Sequence, residues 1–343
     1  MDPAPEDVQA TYCATLVDQW ISLGVRHAVI APGSRSTPMA LALVDRRELQ
    51  VHVVHDERSA AFVALGLGLG GVPALLLCTS GTASANFYPA VVEANLSEIP
   101  MIVLTADRPA ELRGVGAPQT IDQIDMYGNH VKWFRDPGVA DDAERSLWRE
   151  LAGDAWTHAM SGPVQLNLAF REPLLGNPGS LPESPPPRTS AAATRLVGRS
   201  DDVPDLARQR GIIAVGARSG CSADEVAMLH ERTGWPIVAD PLSGMRHLDG
   251  AISSADSLLR HERFAADHLA DVVVRVGRPA ASKVLAQWIH RAALSGATLV
   301  QVGGPGVIDP DHDVTAVCSM GDLLAAVTGA SAQAIEWDEL WRR

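Results

Sequence analysis

Only four of the 343 residues are cysteines, at positions 13, 78, 221 and 318, and no C-x-x-C occurs. That spacing excludes a disulfide scaffold and a paired-cysteine metal or redox centre. It points to four free thiols in a reducing compartment, with Cys13 and Cys78 in apolar, core-like surroundings. Basic runs are missing too. Lys and Arg total 28 against 41 Asp and Glu, a net charge of -13. A nucleic-acid partner needs clustered cations, so it is excluded. Anions can be held only by local arginines or backbone N–H groups. No apolar run approaches a membrane span, and the acidic start MDPAPEDVQA is not a signal peptide. The expected location is the cytoplasm, with no membrane partner.

What is present is ordinary globular composition, 46% hydrophobic and 20% charged. The length suits about two domains. Residues 1–175 alternate helix and strand. A helical pattern over 6–23 stops at Gly24. Short apolar strands follow at HAVIA (27–31), VHVV (51–54), ALLLC (74–78), MIVLT (101–105) and VQLNL (164–168). Helices are expected over about 37–46, 56–70, 81–96 and 141–160. Continuous apolar strands between helices predict a parallel sheet covered on both faces. Residues 176–200 are rich in Pro and Ser and read as a linker. A second α/β unit over 201–332 has strands GIIAVG (211–216), WPIVAD (235–240), DVVVRVG (271–277) and ATLVQVG (297–303), with helices over 222–233 and 280–292. The tail IEWDELWRR is a short amphipathic stretch, and there is no internal repeat. The fold class is therefore α/β, two doubly wound parallel-sheet domains.

Several stretches could carry chemistry. GLGLGG (66–71) satisfies G-x-G-x-x-G but ends a helix before a strand. A dinucleotide loop needs the reverse order, so this is a glycine-rich helix end packed on the sheet. VGGPG (302–306) follows a strand, but its Pro and the weak helix after it disfavour a nucleotide. PGSRST (32–37) follows the first strand, where ligands bind in such sheets. Ser34 and Ser36 can cap the next helix, and Arg35 can clamp a carboxylate; an ordinary capped turn with a solvated Arg is the alternative. Asp56-Glu57 opens the helix after the second strand. Acids are routine there. TSGTASAN (79–86) and the long polar loop ADRPAELRGVGAPQTIDQ (106–123) follow the third and fourth strands, and Arg108 and Gln119 are candidate anion and amide ligands in that loop. Four successive crevice ends thus carry SR, DE, SGT and DR. Asp311, His312 and Asp313 (DPDHDV) are read as a turn, because successive residues do not easily face one ion, and no residue is assigned to a metal.

APGSRSTP, HDERSAAFVALGLG, TSGTASANFYPAVVEAN, TADRPAELRGVGAPQTIDQ and YGNHVKWF together resemble the 2-succinyl-5-enolpyruvyl-6-hydroxy-3-cyclohexene-1-carboxylate synthases, the MenD family of menaquinone biosynthesis, which use thiamine diphosphate. The resemblance is dense from 9 to about 175. It is looser from 205 to 330, where GARSG, WPIVADPLSGMR and GRPAASKVLAQW look like the family's middle domain. It implies a pyrimidine-binding fold followed by a Rossmann-like middle domain. It implies that Glu57 hydrogen-bonds the cofactor ring nitrogen N1', and that Ser80, Gly81 and Thr82 help bind the cofactor. The reaction it implies is decarboxylation of 2-oxoglutarate and carboligation to isochorismate. Ser34, Arg35, Arg108, Gln119 and Lys283 would then stand at the isochorismate end. Burial of a carboxyl against an apolar ring favours sharing of a proton.

The family's third domain, which binds the diphosphate through Mg²⁺, has a G-D-x signature followed some two dozen residues on by Asn. The sequence has GDA at 153–155, which lies in an expected helix of the first domain, and GDL at 321–323, which has only 20 residues after it, none of them Asn. This domain is expected to be absent from the chain. The expected partner is then another subunit of a homo-oligomer or a separate diphosphate-binding polypeptide. Two alternatives are another thiamine diphosphate-dependent 2-oxoacid enzyme and a non-catalytic ligand-binding relic. A nicotinamide dehydrogenase is disfavoured by the misplaced glycines.

Overall fold

The computed structural model describes residues 4–183, 206, 210–304, 308–327 and 329–342. Most of the expected linker, from 184 to 200, lies outside these, as do residues 305 and 306 of the VGGPG run. The chain divides into two compact units, Met1–Thr189 and Ser190–Arg343.

The first unit is built on strands β1 (His27–Ile30), β2 (Gln50–Val53), β3 (Ala74–Cys78), β4 (Met101–Asp107), β5 (Phe134–Arg135) and β6 (Pro163–Ala169). Its helices are α1 (Pro5–Ser22), α2 (Thr37–Val44), α3 (Glu57–Gly68), α4 (Thr82–Ala85), α5 (Tyr88–Leu96) and α6 (Trp148–Ala159). All strand pairs are parallel, in the order β2-β1-β3-β4-β6-β5. β3, β4 and β6 are buried along their whole length, which is why their sequences are continuous apolar runs rather than alternating ones. Successive strand residues face opposite sides. Leu75 and Leu77 pack with α1, α2 and α6, whereas Leu76 and Cys78 pack with α3 and α5. The crossover α2 thus covers one face and α3 the other. The order reverses between β1 and β3, and that switch point opens a crevice at the carboxyl ends of the strands.

The second unit has strands β7 (Gly211–Val215), β8 (Ile237–Ala239), β9 (Val272–Val276), β10 (Thr298–Val302) and β11 (Val314–Cys318), all parallel, in the order β11-β10-β9-β7-β8. Its helices are α7 (Ala223–Thr233), α8 (Ala255–Leu259), α9 (Glu262–Asp267), α10 (Lys283–Leu294), α11 (Met320–Ala326) and α12 (Ala332–Arg342). α7 carries a full capping box, Ser222 with Glu225, and ends on left-handed Gly234. The two sheets confirm the doubly wound α/β class.

Several elements depart from the sequence expectation. The helix expected over 81–96 is two helices. Asn86 and Phe87 interrupt it, and Pro89 sits in the first turn of α5. β5 and β11 are extra strands at sheet edges. The tail is not merely amphipathic. Trp337 and Trp341 of α12 are buried, and the Trp337 indole N–H donates to the Gly211 carbonyl at 2.8 Å. GLGLGG is a packed helix end, as expected: a Cβ on Gly68 would lie 2.3 Å from the Pro100 carbonyl oxygen. No helix among the described residues is long and apolar enough to cross a membrane.

Candidate active site

The turns after β1 and β3 touch. A Cβ on Gly33 would sit 2.4 Å from the Thr79 Cβ, so only glycine lets PGSRST lie against TSGT. Gly81 follows with φ of 84°, a backbone conformation that glycine adopts freely. Beside it the long loop folds back. The Gln119 side-chain amide donates to the Ser80 carbonyl at 3.0 Å. Arg108 Nη1 donates to the Ser80 hydroxyl and to the Gln119 carbonyl, both at 2.6 Å. Burial first, and the Arg35 charge second, lower the Arg108 pKa.

Arg35 is nearly buried. Its Nη1 donates to the Phe170 carbonyl at 2.9 Å and its Nη2 to Glu172 Oε1 at 3.0 Å. Ser34 is exposed on the same turn, and its carbonyl accepts from the Thr37 hydroxyl at 2.6 Å. Glu57 opens α3, half-buried. The N-cap work belongs to its neighbour, since the Asp56 carboxylate accepts from the Arg58 and Ser59 backbone N–H groups. Asn86 Nδ2 donates to Glu57 Oε2 at 3.2 Å. Burial first, and the Glu57 charge second, push up the buried Cys78 thiol. Thr82 is the exposed first residue of α4.

Thus Ser80, Gly81, Arg108 and Gln119 interlock, Arg35 faces Arg108, and Glu57 joins the TSGTASAN segment through Asn86. Lys283, exposed at the first position of α10, belongs to the second unit.

A buried layer beneath these residues escapes single-motif reading. The Gln123 Oε1 accepts the Gly81 N–H at 2.8 Å, and its Nε2 donates to Asn167 Oδ1 at 2.9 Å. Asn167 Nδ2 donates to Asp107 and to Asp136, each at 3.0 Å. Arg113 spans the same two carboxylates and donates to the Arg108 carbonyl at 2.9 Å. Gln123, Asp107 and Asn167 are fully buried. The hint in the sequence is the pair of polar residues, Gln165 and Asn167, within the otherwise apolar run VQLNL.

In the second unit Asp311, Asp313 and His290 approach one another, with ligand atoms within 4.8 Å. The turn expected at DPDHDV is there, but α10 supplies a third group. His290 Nδ1 pairs with Asp313 Oδ2 at 2.8 Å, and Arg275 lies within electrostatic range of both aspartates. The Arg275 guanidinium therefore already stands as a positive charge near these carboxylates.

Residues 11–126 match the thiamine pyrophosphate enzyme N-terminal TPP-binding domain, and residues 183–341 match the middle domain of thiamine pyrophosphate enzymes. A 2-succinyl-5-enolpyruvyl-6-hydroxy-3-cyclohexene-1-carboxylate synthase of Thermobifida fusca is 43% identical over 326 residues, 91% of this chain and 57% of that protein. Synthases of the same name from Bacillus pumilus (41% identical, 88% of this chain and 55% of that protein) and Myxococcus xanthus (38%, 93% and 58%) also match. The chain spans somewhat over half the length of these relatives. Residues of the crevice suit the group the family is named for. Among the described residues, Glu57 accepts a hydrogen bond on one carboxylate oxygen, from Asn86, and none on the other, and the buried Thr79 hydroxyl has no hydrogen-bond partner. The chain belongs to the thiamine pyrophosphate enzyme family, of which it carries the N-terminal and middle domains, in the branch of the 2-succinyl-5-enolpyruvyl-6-hydroxy-3-cyclohexene-1-carboxylate synthases.

Proposed function

We propose that the chain supplies the pyrimidine-binding and acceptor-binding parts of a 2-succinyl-5-enolpyruvyl-6-hydroxy-3-cyclohexene-1-carboxylate synthase, a cytoplasmic transferase acting on 2-oxoglutarate and isochorismate. Thiamine diphosphate, when bound, supplies the electron sink that lets a 2-oxoacid lose carbon dioxide and pass its remaining carbons on as a nucleophile. Glu57 exchanges a proton with the ring nitrogen of the pyrimidine, using the oxygen that Asn86 leaves free. Ser80, Gly81 and Thr82 line that ring. Arg35 and Arg108, with Ser34 and Gln119, take carboxylates of isochorismate, and Lys283 is assigned to the same acceptor. The diphosphate and its Mg²⁺ are held by another part of the assembly, in a homo-oligomer or with a separate polypeptide.

The observation that carries this reading is a half-buried carboxylate after β2, held by Asn86, and two mutually influencing guanidiniums after β1 and β4, all at the carboxyl ends of one parallel sheet. A proton-exchanging acid and a dianion site are what carboligation to a dicarboxylate needs. The test is a carboligation assay on the thiamine diphosphate and Mg²⁺-loaded assembly. Product is expected from 2-oxoglutarate with isochorismate and not from pyruvate with isochorismate. Turnover of pyruvate alone would move the chain to another decarboxylase activity. Binding of isochorismate without turnover in a cofactor-loaded assembly would leave a ligand-binding role only.

A further inference from the structure

Arg35 and Glu172 form an ion pair of unequal partners. The arginine side chain is 10% exposed and the glutamate 72%. Arg35 is fixed from below by the Phe170 carbonyl. Glu172 has no other hydrogen-bond partner among the described residues and projects into solvent. Both anchors come from one short segment: Phe170 follows β6 directly, and Glu172 is two residues on. Arg108 shares the site, and its guanidinium is influenced by Arg35 with one sign and by Asp107 and Glu172 with the other. Asp107 is not free to leave. It is fully buried and bound by the Arg108 N–H, Asn167 and Arg113. Among the described acidic groups that act on Arg108, Glu172 is therefore the one left free to move. A bidentate grip on a ligand carboxylate needs parallel N–H groups of one guanidinium, and Glu172 already takes an Nη2 proton.

We propose that Glu172 is a resident counter-ion of the carboxylate site, which a ligand carboxylate displaces from Arg35, and that its charge sets how tightly the site takes dianionic ligands. The proposal rests on the assignment of Arg35 and Arg108 to a carboxylate ligand. Displacement is cheap, because an ion pair with one partner in solvent contributes little. Retention has a use, because without it two like charges face each other in a half-buried crevice whenever the ligand is away.

The test is calorimetric titration of the full chain with isochorismate, in the wild type, Glu172→Gln and Arg35→Ala. The amide oxygen of Gln can still accept from Nη2, so this variant removes the charge and keeps the pose. Glu172→Gln is expected to bind about two- to fivefold more tightly, with the difference shrinking as salt is added. The wild-type Glu172 carboxyl ¹³C resonance should move during the titration as its ion pair opens. Unchanged or weaker binding by Glu172→Gln, while Arg35→Ala still loses affinity, would overturn the proposal alone and leave Glu172 as a prop for Arg35. Wild-type binding that does not depend on Arg35, or no binding by wild type and Glu172→Gln alike, would remove the underlying assignment and the proposal with it.

Discussion

Both sheets have a switch point, and at both the two following turns press together, yet the two crests differ in what they are made of. Between β1 and β3 the contact is one glycine against a side chain, Gly33 on Thr79. Around it stand Arg35, Glu57, Ser80, Arg108 and Gln119, held by side-chain hydrogen bonds. Between β7 and β9 the contact is backbone on backbone. A Cβ on Gly216 would lie 1.6 Å from the Arg278 carbonyl oxygen, and one on Gly277 2.6 Å from the Ser219 Cα. Gly303, after β10, meets the Ser219 carbonyl in the same way at 2.1 Å. The same topology thus yields a rim of charged and polar side chains in one unit and close backbone contacts in the other. Winding order alone makes a crevice; the residues placed on its rim decide whether it does anything.

The difference can be broken most sharply at Glu57. A crest made of side chains should lose its chemistry to one substitution without losing its fold. Glu57→Gln keeps an acceptor for the Asn86 amide and removes the proton exchange. The expected fall in carboligation rate is about 10²- to 10⁴-fold, with an unchanged melting curve and circular dichroism spectrum. Near-normal turnover would take Glu57 out of the proton-exchanging role.

The opposite behaviour is expected of the crest made of backbone contacts. Gly216→Ala adds one methyl group where a backbone carbonyl already stands, so the strands must part. A loss of about 2–4 kcal/mol is expected, read by denaturant unfolding with Trp fluorescence, since Trp235 and Trp288 report on this unit's core. Isochorismate binding measured well below the unfolding transition should be retained. A Gly216→Ala chain as stable as the wild type would show that the contact at β7 and β9 gives way easily, and the contrast between the crests would weaken.

The two crests were also unequally legible in the sequence. Strands such as ALLLC and MIVLT are unbroken apolar runs because both faces of the sheet are covered, so the parallel architecture followed directly. β11 was hidden because it is a half-exposed edge strand with a mixed burial pattern. α12 was underread because its two buried tryptophans are four residues apart on one stripe, and their partners lie far back in the chain: the Gly211 carbonyl for Trp337, and the Phe264 and Trp288 rings for Trp341. The rim residues Arg35, Glu57, Arg108 and Gln119 could be named because they follow strands. Their arrangement could not. Gln123 finds Asn167 across 44 residues, and Glu172 finds Arg35 across 137, because strand order rather than chain order sets neighbours. Glu57 shows a further limit: composition and spacing make it a helix-start acid, and only the neighbouring motifs made it more.

The smallest expected effect sharpens the comparison from the far side of the second sheet. His290 on α10 meets Asp313 before β11, and that hydrogen bond, ahead of the charge of Asp313 and Asp311, raises the His290 pKa. A raised folded-state pKa means that protonation favours the folded chain. The contribution is complete below the unfolded histidine value of about 6.5. It is lost as pH rises through the higher folded value. Melting temperature should therefore slip slightly as pH rises from about 6 through that value, and Asp313→Asn should flatten this step. The pair is exposed on the histidine side, so the step is small and should shrink further in salt. A step of equal size in Asp313→Asn would assign it to another group. A large step would mean that charge as well as backbone packing holds the second unit together, which would blur the contrast between a crest of side chains and one of backbone.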